Sequence, residues 1–144
     1  MKIYLDVCCL NRPFDDQSQT RIRLEAEAVL LILERLQSEE WEWLSSEVVD
    51  DEISQTRDVN RRKRVQNLVL HASGSLILTE KEATRGLELA KMGFGNMDAL
   101  HLACAESGHV DVFLTTDDKL IRRATRLSQE LQVLVANPLH WLVD

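Results

Sequence analysis

The chain has 144 residues, of which 44% are hydrophobic and 28% charged, a balance that suits one soluble domain able to bury a core. A formal net charge of −7 excludes a generally basic, charge-driven nucleic-acid binder, although acids gathered in one pocket can be offset by bound cations. No run approaches the ~18 apolar residues that span a bilayer, and the opening MKIYLDVCCL reaches an aspartate too early for a secretory signal, so the expected compartment is the cytoplasm, with no membrane partner.

Lys2 to Leu5 reads as a short buried strand that ends at Asp6. Gln19 to Leu36 is the clearest helix. Ile22, Ala26, Val29, Leu30 and Leu33 recur at helical spacing, with Arg21, Arg23, Glu27, Glu34 and Arg35 on the remaining surface. Trp41 to Leu44 is a second strand, and Ser45 or Ser46 can cap a helix through Val48, Val49 and Ile53. Asp58 to Leu70 forms a helix with a basic start, and Leu76 to Leu78 a strand. Thr79 then caps a helix from Glu80 to Met92, with Glu82 at capping-box spacing. Gly93 and Gly95 break the chain. Asn96 caps a helix from Met97 to Glu106 that is apolar nearly all round and therefore central. Val112 to Thr115 is a strand, Asp117 to Arg126 a helix and Val133 to Val135 a last strand, and Asn137-Pro138 turns into a short tail.

Strands and helices alternate, and the strands are short continuous apolar runs. The expected fold class is therefore α/β, one domain over residues 1–144 with a central short parallel sheet and helices on both faces. Ligands of such sheets bind beyond the carboxyl ends of the strands, where Asp6 and Asp117 both fall. Each alone is equally well explained as a solvated turn residue. Asp98 stands just inside a helix whose next seven residues, ALHLACA, are nearly all apolar. A helix N-terminus favours an anion by only ~0.3–1 kcal/mol, whereas burying an unpaired carboxylate costs more, which points to function. Glu52 follows Val48 and Val49 on the apolar side of its helix, but pattern alone does not separate it from Glu47, Asp50 and Asp51. Four acids around one crevice repel one another, and a hard divalent cation such as Mg²⁺ removes that strain. The implied chemistry is metal-assisted hydrolysis of a phosphodiester.

The segments IYLDVCCLNRPFDD, SSEVVDDEIS, GFGNMDALHLACA and LTTDDKLIRRA, in that order, resemble the motifs of the PIN domain family across essentially the whole chain. Many small stand-alone members are VapC-like toxins of toxin–antitoxin pairs, which cleave RNA with Mg²⁺ or Mn²⁺. The resemblance implies that Asp6, Asp98 and Asp117 hold the metal and that Glu52, rather than Glu47, completes the catalytic set as ligand or water-positioning group. It further implies that Thr116 steadies the cluster, that Asn11 helps by hydrogen bonding, and that Asp118 can share the last metal-site role, because the Asp117-Asp118 doublet leaves the register open. The partners it implies are an RNA substrate and a small antitoxin. Members commonly form homodimers, a point this sequence does not decide.

Two basic clusters remain. Arg57, Arg61, Arg62, Lys63 and Arg64 read as a solvated helix face. Lys119, Arg122, Arg123 and Arg126 follow Asp117 directly. For Lys119, Arg122 and Arg123, contact with substrate phosphates stays open beside that plainer reading. His101, one turn after Asp98, has no nucleophile pattern beside it and is expected to serve packing or hydrogen bonding. Trp41, Trp43 and Trp141 are expected to pack the sheet edge or an oligomer contact. Cys8, Cys9 and Cys104 lack metal-ligand spacing and read as buried free thiols.

Two other functions compete with an active nuclease. One is a catalytically inactive PIN adaptor that binds RNA or protein, against which the complete acid quartet argues. The other is a receiver-like phosphoacceptor domain, suggested by Asp6, Thr116 and Lys119. A receiver wants its threonine and lysine on separate strands, and here they are nearly contiguous.

Overall fold

In a computed structural model, which describes residues 1–143, the chain forms one parallel sheet of five strands. Strand β1 is Lys2–Leu5, β2 Glu42–Ser46, β3 Gly74–Leu76, β4 Val112–Leu114 and β5 Leu134–Ala136. The helices are α1 Val7–Asn11, α2 Thr20–Gln37, α3 Glu47–Ser54, α4 Val59–Val69, α5 Glu80–Lys91, α6 Asn96–Ser107, α7 Asp118–Arg126 and α8 Pro138–Val143, with a 3₁₀ turn at Arg12–Phe14. The expected α/β class and parallel sheet are found.

Strand order is β3-β2-β1-β4-β5, every pair parallel. Connections from β1 to β2 and from β2 to β3 step one way across the sheet, and those from β3 to β4 and from β4 to β5 step back. With right-handed crossovers, helices α1–α4 and α5–α7 therefore cover opposite faces. The direction reverses between β1 and β4, so a crevice opens beyond their carboxyl ends. Asp6 and Asp117 lie at that point in the fold.

The core explains why the short strands hold. Ile3, Tyr4 and Leu5 of β1 and Val112, Phe113 and Leu114 of β4 are all buried, as central strands covered on both faces must be. Helix α6 supplies Leu102, Ala103, Cys104 and Ala105, small enough to let it lie close against the sheet. Helix α2 turns Ala26, Val29, Ile32, Leu33 and Leu36 inward, whereas Leu30, expected on that stripe, is 52% exposed.

Several local expectations shift. Strand β3 lies two residues earlier than Leu76 to Leu78, and Ile77 is exposed. The edge strand pairs only with β2 and gains little burial to fix its limits. Gly95 rather than Asn96 takes the N-cap position of α6, and no side chain caps it. Helix α1, and α8 where a short tail is expected, have five and six residues, too few for a periodicity to show in the sequence. Ser46 does cap α3, accepting from Val49 N at 3.2 Å, and the Thr79–Glu82 capping box is formed, with Thr79 N donating to the Glu82 carboxylate at 2.7 Å. All three cysteines are free; Cys9 and Cys104 are buried and Cys8 is half-buried. Trp43 is buried in β2, and Trp41 packs edge-on against Trp141 with ring centroids 5.2 Å apart.

Candidate active site

Asp6 leaves β1 and caps the short α1, its Oδ1 accepting from Val7 N at 2.8 Å. Its other oxygen accepts from Thr115 Oγ1 at 2.8 Å, and Asp6 N donates to Leu114 O at 2.9 Å, so the residue is tied to β4 by backbone and side chain. Thr115 also accepts from Asp117 N at 3.1 Å. One hydroxyl thus links the first and last candidate acids. The steadying contact expected of Thr116 is made by Thr115, while Thr116 offers its backbone N–H to Cys8 Sγ and its carbonyl to Arg21.

Asp117 is exposed and caps α7, with Oδ1 accepting from Lys119 N and Leu120 N. Asp98, half-buried in the first turn of α6, has its carboxyl pushed up to about 6. Loss of water is the main cause, followed by the charges of Asp6 and Asp117, then of Glu52, with His101 opposing only when its ring is charged. Burial likewise raises Asp6, with Glu52 adding to it and His101 and Thr115 opposing. The candidate acids of β1, α3, α6 and the β4–α7 junction therefore lie within electrostatic reach of one another. Among the described residues none of Asp6, Asp98 or Asp117 pairs with an arginine or lysine.

Glu52 comes to the crevice from α3 and meets His101, whose Nε2 lies 2.7 Å from Glu52 Oε1. The far nitrogen of the ring, Nδ1, lies 2.7 Å from Tyr4 Oη, which in turn lies 2.7 Å from Ser46 Oγ. The sequence assigns His101 only packing or hydrogen bonding, and it does both, completely buried and engaged at both nitrogens. Its place one helical turn after Asp98, among small apolar residues, was the available sign that it faces the same crevice.

The other candidates fall outside this group. Asn11 donates through Nδ2 to Val7 O at 3.1 Å, and its buried Oδ1 has no partner among the described residues. Asp118 forms a two-pronged pair with Arg21 at 2.7 and 2.8 Å, which keeps its carboxylate low. Lys119, Arg122, Arg123 and Arg126 line an open groove along α7 with Ile121 and Thr125. None of these four cations is ion-paired among the described residues. Gly93, at φ +106°, lets the Arg123 guanidinium lie against the loop before α6, where any Cβ would collide with it. The earlier basic run is partly spent on structure. Arg61 reaches Asp15 at 2.7 Å and Phe14 O at 2.6 Å, and Arg62 donates to Thr56 O.

Asp6, Glu52 and His101 present ligand atoms all within 4.8 Å of one another. Of the expected trio Asp6, Asp98 and Asp117 only Asp6 is in that group, while Asp98 and Asp117 stand outside it, close enough for Asp98 to feel the charges of Asp6, Asp117 and Glu52. A mainly carboxylate neighbourhood, in which Asp6 and Asp98 are raised and none of Asp6, Asp98 and Asp117 is paired with an arginine or lysine among the described residues, fits a hard divalent cation.

The PIN domain family matches residues 3–126. Among curated proteins, none matches the sequence significantly. Solved structures that share the fold include two toxin–antitoxin complexes. VapBC2 from Rickettsia felis, bound to a DNA fragment from its promoter, superposes with a TM-score of 0.61 at 14% identity, over 95% of this chain and 98% of that one. VapBC-1 from nontypeable Haemophilus influenzae gives 0.61 at 15% identity, over 96% and 98%. With a family match over most of its length and the same architecture in these structures, the chain belongs to the PIN domain family.

Proposed function

We propose that this protein is a Mg²⁺- or Mn²⁺-dependent endoribonuclease, the toxin of a type II toxin–antitoxin pair acting in the cytoplasm. The observation that supports the reading is the meeting of Asp6 and Glu52 with His101 within 4.8 Å, beside an Asp98 that burial first, and then the charges of Asp6, Asp117 and Glu52, push up to about 6. Nothing in the fold alone requires four acids to be so placed. Asp6, Asp98 and Asp117 would hold the cation, which when bound activates water and stabilises charge on a phosphodiester.

The chain's own residues do the rest. Thr115 fixes Asp6 and the Asp117 backbone at once, so the two acids keep a constant spacing. Glu52, with Oε1 occupied by His101, keeps its second oxygen for a water or the cation. Lys119, Arg122 and Arg123, on the helix that Asp117 begins, draw the phosphates of an RNA strand toward the acids. Asn11 and Thr116 support the loops on either side, and Asp118 holds Arg21 rather than the cation. The likeness to VapBC structures supports an antitoxin as the protein partner, and a second copy of the chain is compatible with it.

Cleavage of a mixed panel of cellular RNAs with Mg²⁺, Mn²⁺ or EDTA tests the reading. Discrete fragments that need metal and vanish in Asp98→Asn are expected. Intact RNA in every condition, with no cation bound, would replace it by an inactive PIN adaptor.

A further inference from the structure

We infer that His101 is a positioning residue, and that a one-way chain of hydrogen bonds from Ser46 through Tyr4 and His101 sets the orientation of Glu52. The inference rests on the nuclease reading for its functional consequence, but the chain itself is a property of the fold. It joins three elements: β1 through Tyr4, the β2–α3 junction through Ser46, and α6 through His101.

The direction of the chain follows from what each atom can do. A carboxylate only accepts, so the proton between His101 and Glu52 belongs to Nε2, 2.7 Å from Oε1. In the neutral ring, Nδ1 then carries a lone pair and must accept from Tyr4 Oη at 2.7 Å. Tyr4 has one hydroxyl proton and has spent it, so it accepts from Ser46 Oγ, also at 2.7 Å. Ser46 Oγ in turn accepts from Val49 N at 3.2 Å, in the first turn of the helix that carries Glu52. Every polar atom along the chain is satisfied, and the chain begins and ends on α3. Burial holds the Tyr4 phenol well above its usual range, so it stays a hydroxyl and keeps the proton that fixes the imidazole tautomer.

Packing prevents the ring from turning. His101 is 0% exposed and lies edge-on to Tyr4, with centroids 5.8 Å apart, and to Phe113 at 6.5 Å. Tyr4 is itself stacked on Phe113, with centroids 5.2 Å and planes 12° apart. Glu52, by contrast, is about a third exposed on α3 and has no other side-chain partner to choose its rotamer among the described residues. Without His101 its carboxylate would be free to swing toward solvent. With His101 one oxygen is fixed, and the carboxylate is held where Asp6 has a ligand atom within 4.8 Å of both residues. Supporting groups of this kind typically change metal affinity or activity by about 10–100-fold when removed.

The test combines a spectroscopic and a kinetic arm on the intact protein. Long-range ¹H–¹⁵N spectra of histidine-labelled protein without metal report the tautomer, with His101 identified by its loss in His101→Gln. The neutral Nε2–H form is expected, and either the Nδ1–H form or a doubly protonated ring, which would donate to Tyr4, would overturn the inference whatever the protein cleaves. In the kinetic arm, digestion of total cellular RNA is followed against Mn²⁺ concentration for wild type, His101→Leu, His101→Gln and Tyr4→Phe, each checked for native circular dichroism. His101→Leu should lose about 10–100-fold in rate at saturating Mn²⁺ or need correspondingly more Mn²⁺. His101→Gln, whose amide can still donate to Glu52, should recover most of that loss, and Tyr4→Phe, which keeps the ring, should fall between. Equal rates in His101→Leu and wild type, or a glutamine variant as poor as leucine, would overturn it. A wild-type protein that neither cleaves RNA nor binds Mn²⁺ would instead remove the nuclease reading, leaving the tautomer to decide the hydrogen-bond chain.

Discussion

Glu25 and Asp98 are both carboxylates withdrawn from water, and the chain treats their charges in opposite ways. Glu25, 1% exposed on α2, receives Arg12 at 2.8 and 2.9 Å, Arg21 at 3.2 Å and Asn137 Nδ2 at 2.6 Å. Those contacts bind the 3₁₀ turn and the start of α8 to α2. Arg21 then continues to Asp118 and the Thr116 carbonyl, fixing the entrance of α7. Asp98 receives no cation from the chain, and burial first, then the charges of Asp6, Asp117 and Glu52, push its carboxyl up to about 6. A buried acid that serves the fold is paired, because an uncompensated one is costly. Acids left uncompensated in a crevice at the sheet's switch point hold electrostatic strain that an added cation would relieve.

Substitutions in the two regions should separate these roles. The largest expected effect is on activity at the crevice. Asp98→Asn should lower metal-dependent RNA cleavage by more than about 100-fold, beyond the range of an outer supporting group. The same change should leave the metal-free protein as stable as wild type or more so, since it removes a repelled charge. A matching loss of melting temperature and activity would show instead that Asp98 serves the fold.

The Glu25 region should behave in reverse. Arg12→Ala leaves Glu25 with one arginine and should cost about 1.5–3 kcal/mol, the usual worth of a hydrogen bond to a charged group. Chemical denaturation measures that loss, and Mn²⁺ binding by the remaining folded protein should be unchanged. Equal damage to Mn²⁺ affinity would mean that the two regions are coupled.

Acidity gives a subtler contrast. The unfolded chain releases the Asp98 proton near 3.8, and the metal-free folded protein keeps it to about 6. Between those values the folded state binds more protons, so this residue's contribution to stability falls as pH rises. In EDTA, wild type should therefore lose melting temperature relative to Asp98→Asn between pH 4 and pH 7. Protons and cation compete for the same oxygens, so apparent Mn²⁺ affinity should rise with pH through about 6. Parallel melting curves for the two proteins would contradict the assignment of Asp98's strain.

The smallest effect belongs to the cations of α7. Arg122→Ala should weaken RNA binding severalfold and reduce the salt dependence by roughly one phosphate contact, without changing Mn²⁺ binding. An unchanged salt slope would return Arg122 to an ordinary solvated face.

The contrast between the regions also explains what the sequence revealed. Asp6 and Asp117 are legible as strand-end acids because β1 and β4 are uninterrupted apolar runs, and Asp98 because an apolar helix follows it. Glu25 is not legible: it sits among Arg21, Arg23 and Glu27, and only the fold of the NRPFDD loop back onto α2 brings Arg12 to it. His101 reads as one polar residue in a core helix, since its partners Tyr4, Ser46 and Glu52 are 97, 55 and 49 positions away in sequence. The neighbouring threonines Thr115 and Thr116 are likewise indistinguishable until β4 ends at Leu114 and turns Thr115 toward Asp6.

Titration of Mn²⁺ into metal-stripped wild type and Asp98→Asn, followed by calorimetry and melting temperature, most directly tests whether the unpaired acids form a cation site. Wild type should bind Mn²⁺ and melt at a higher temperature as it fills, while Asp98→Asn should bind far more weakly and gain little. No binding by wild type, or the same binding and stabilisation in both proteins, would contradict it.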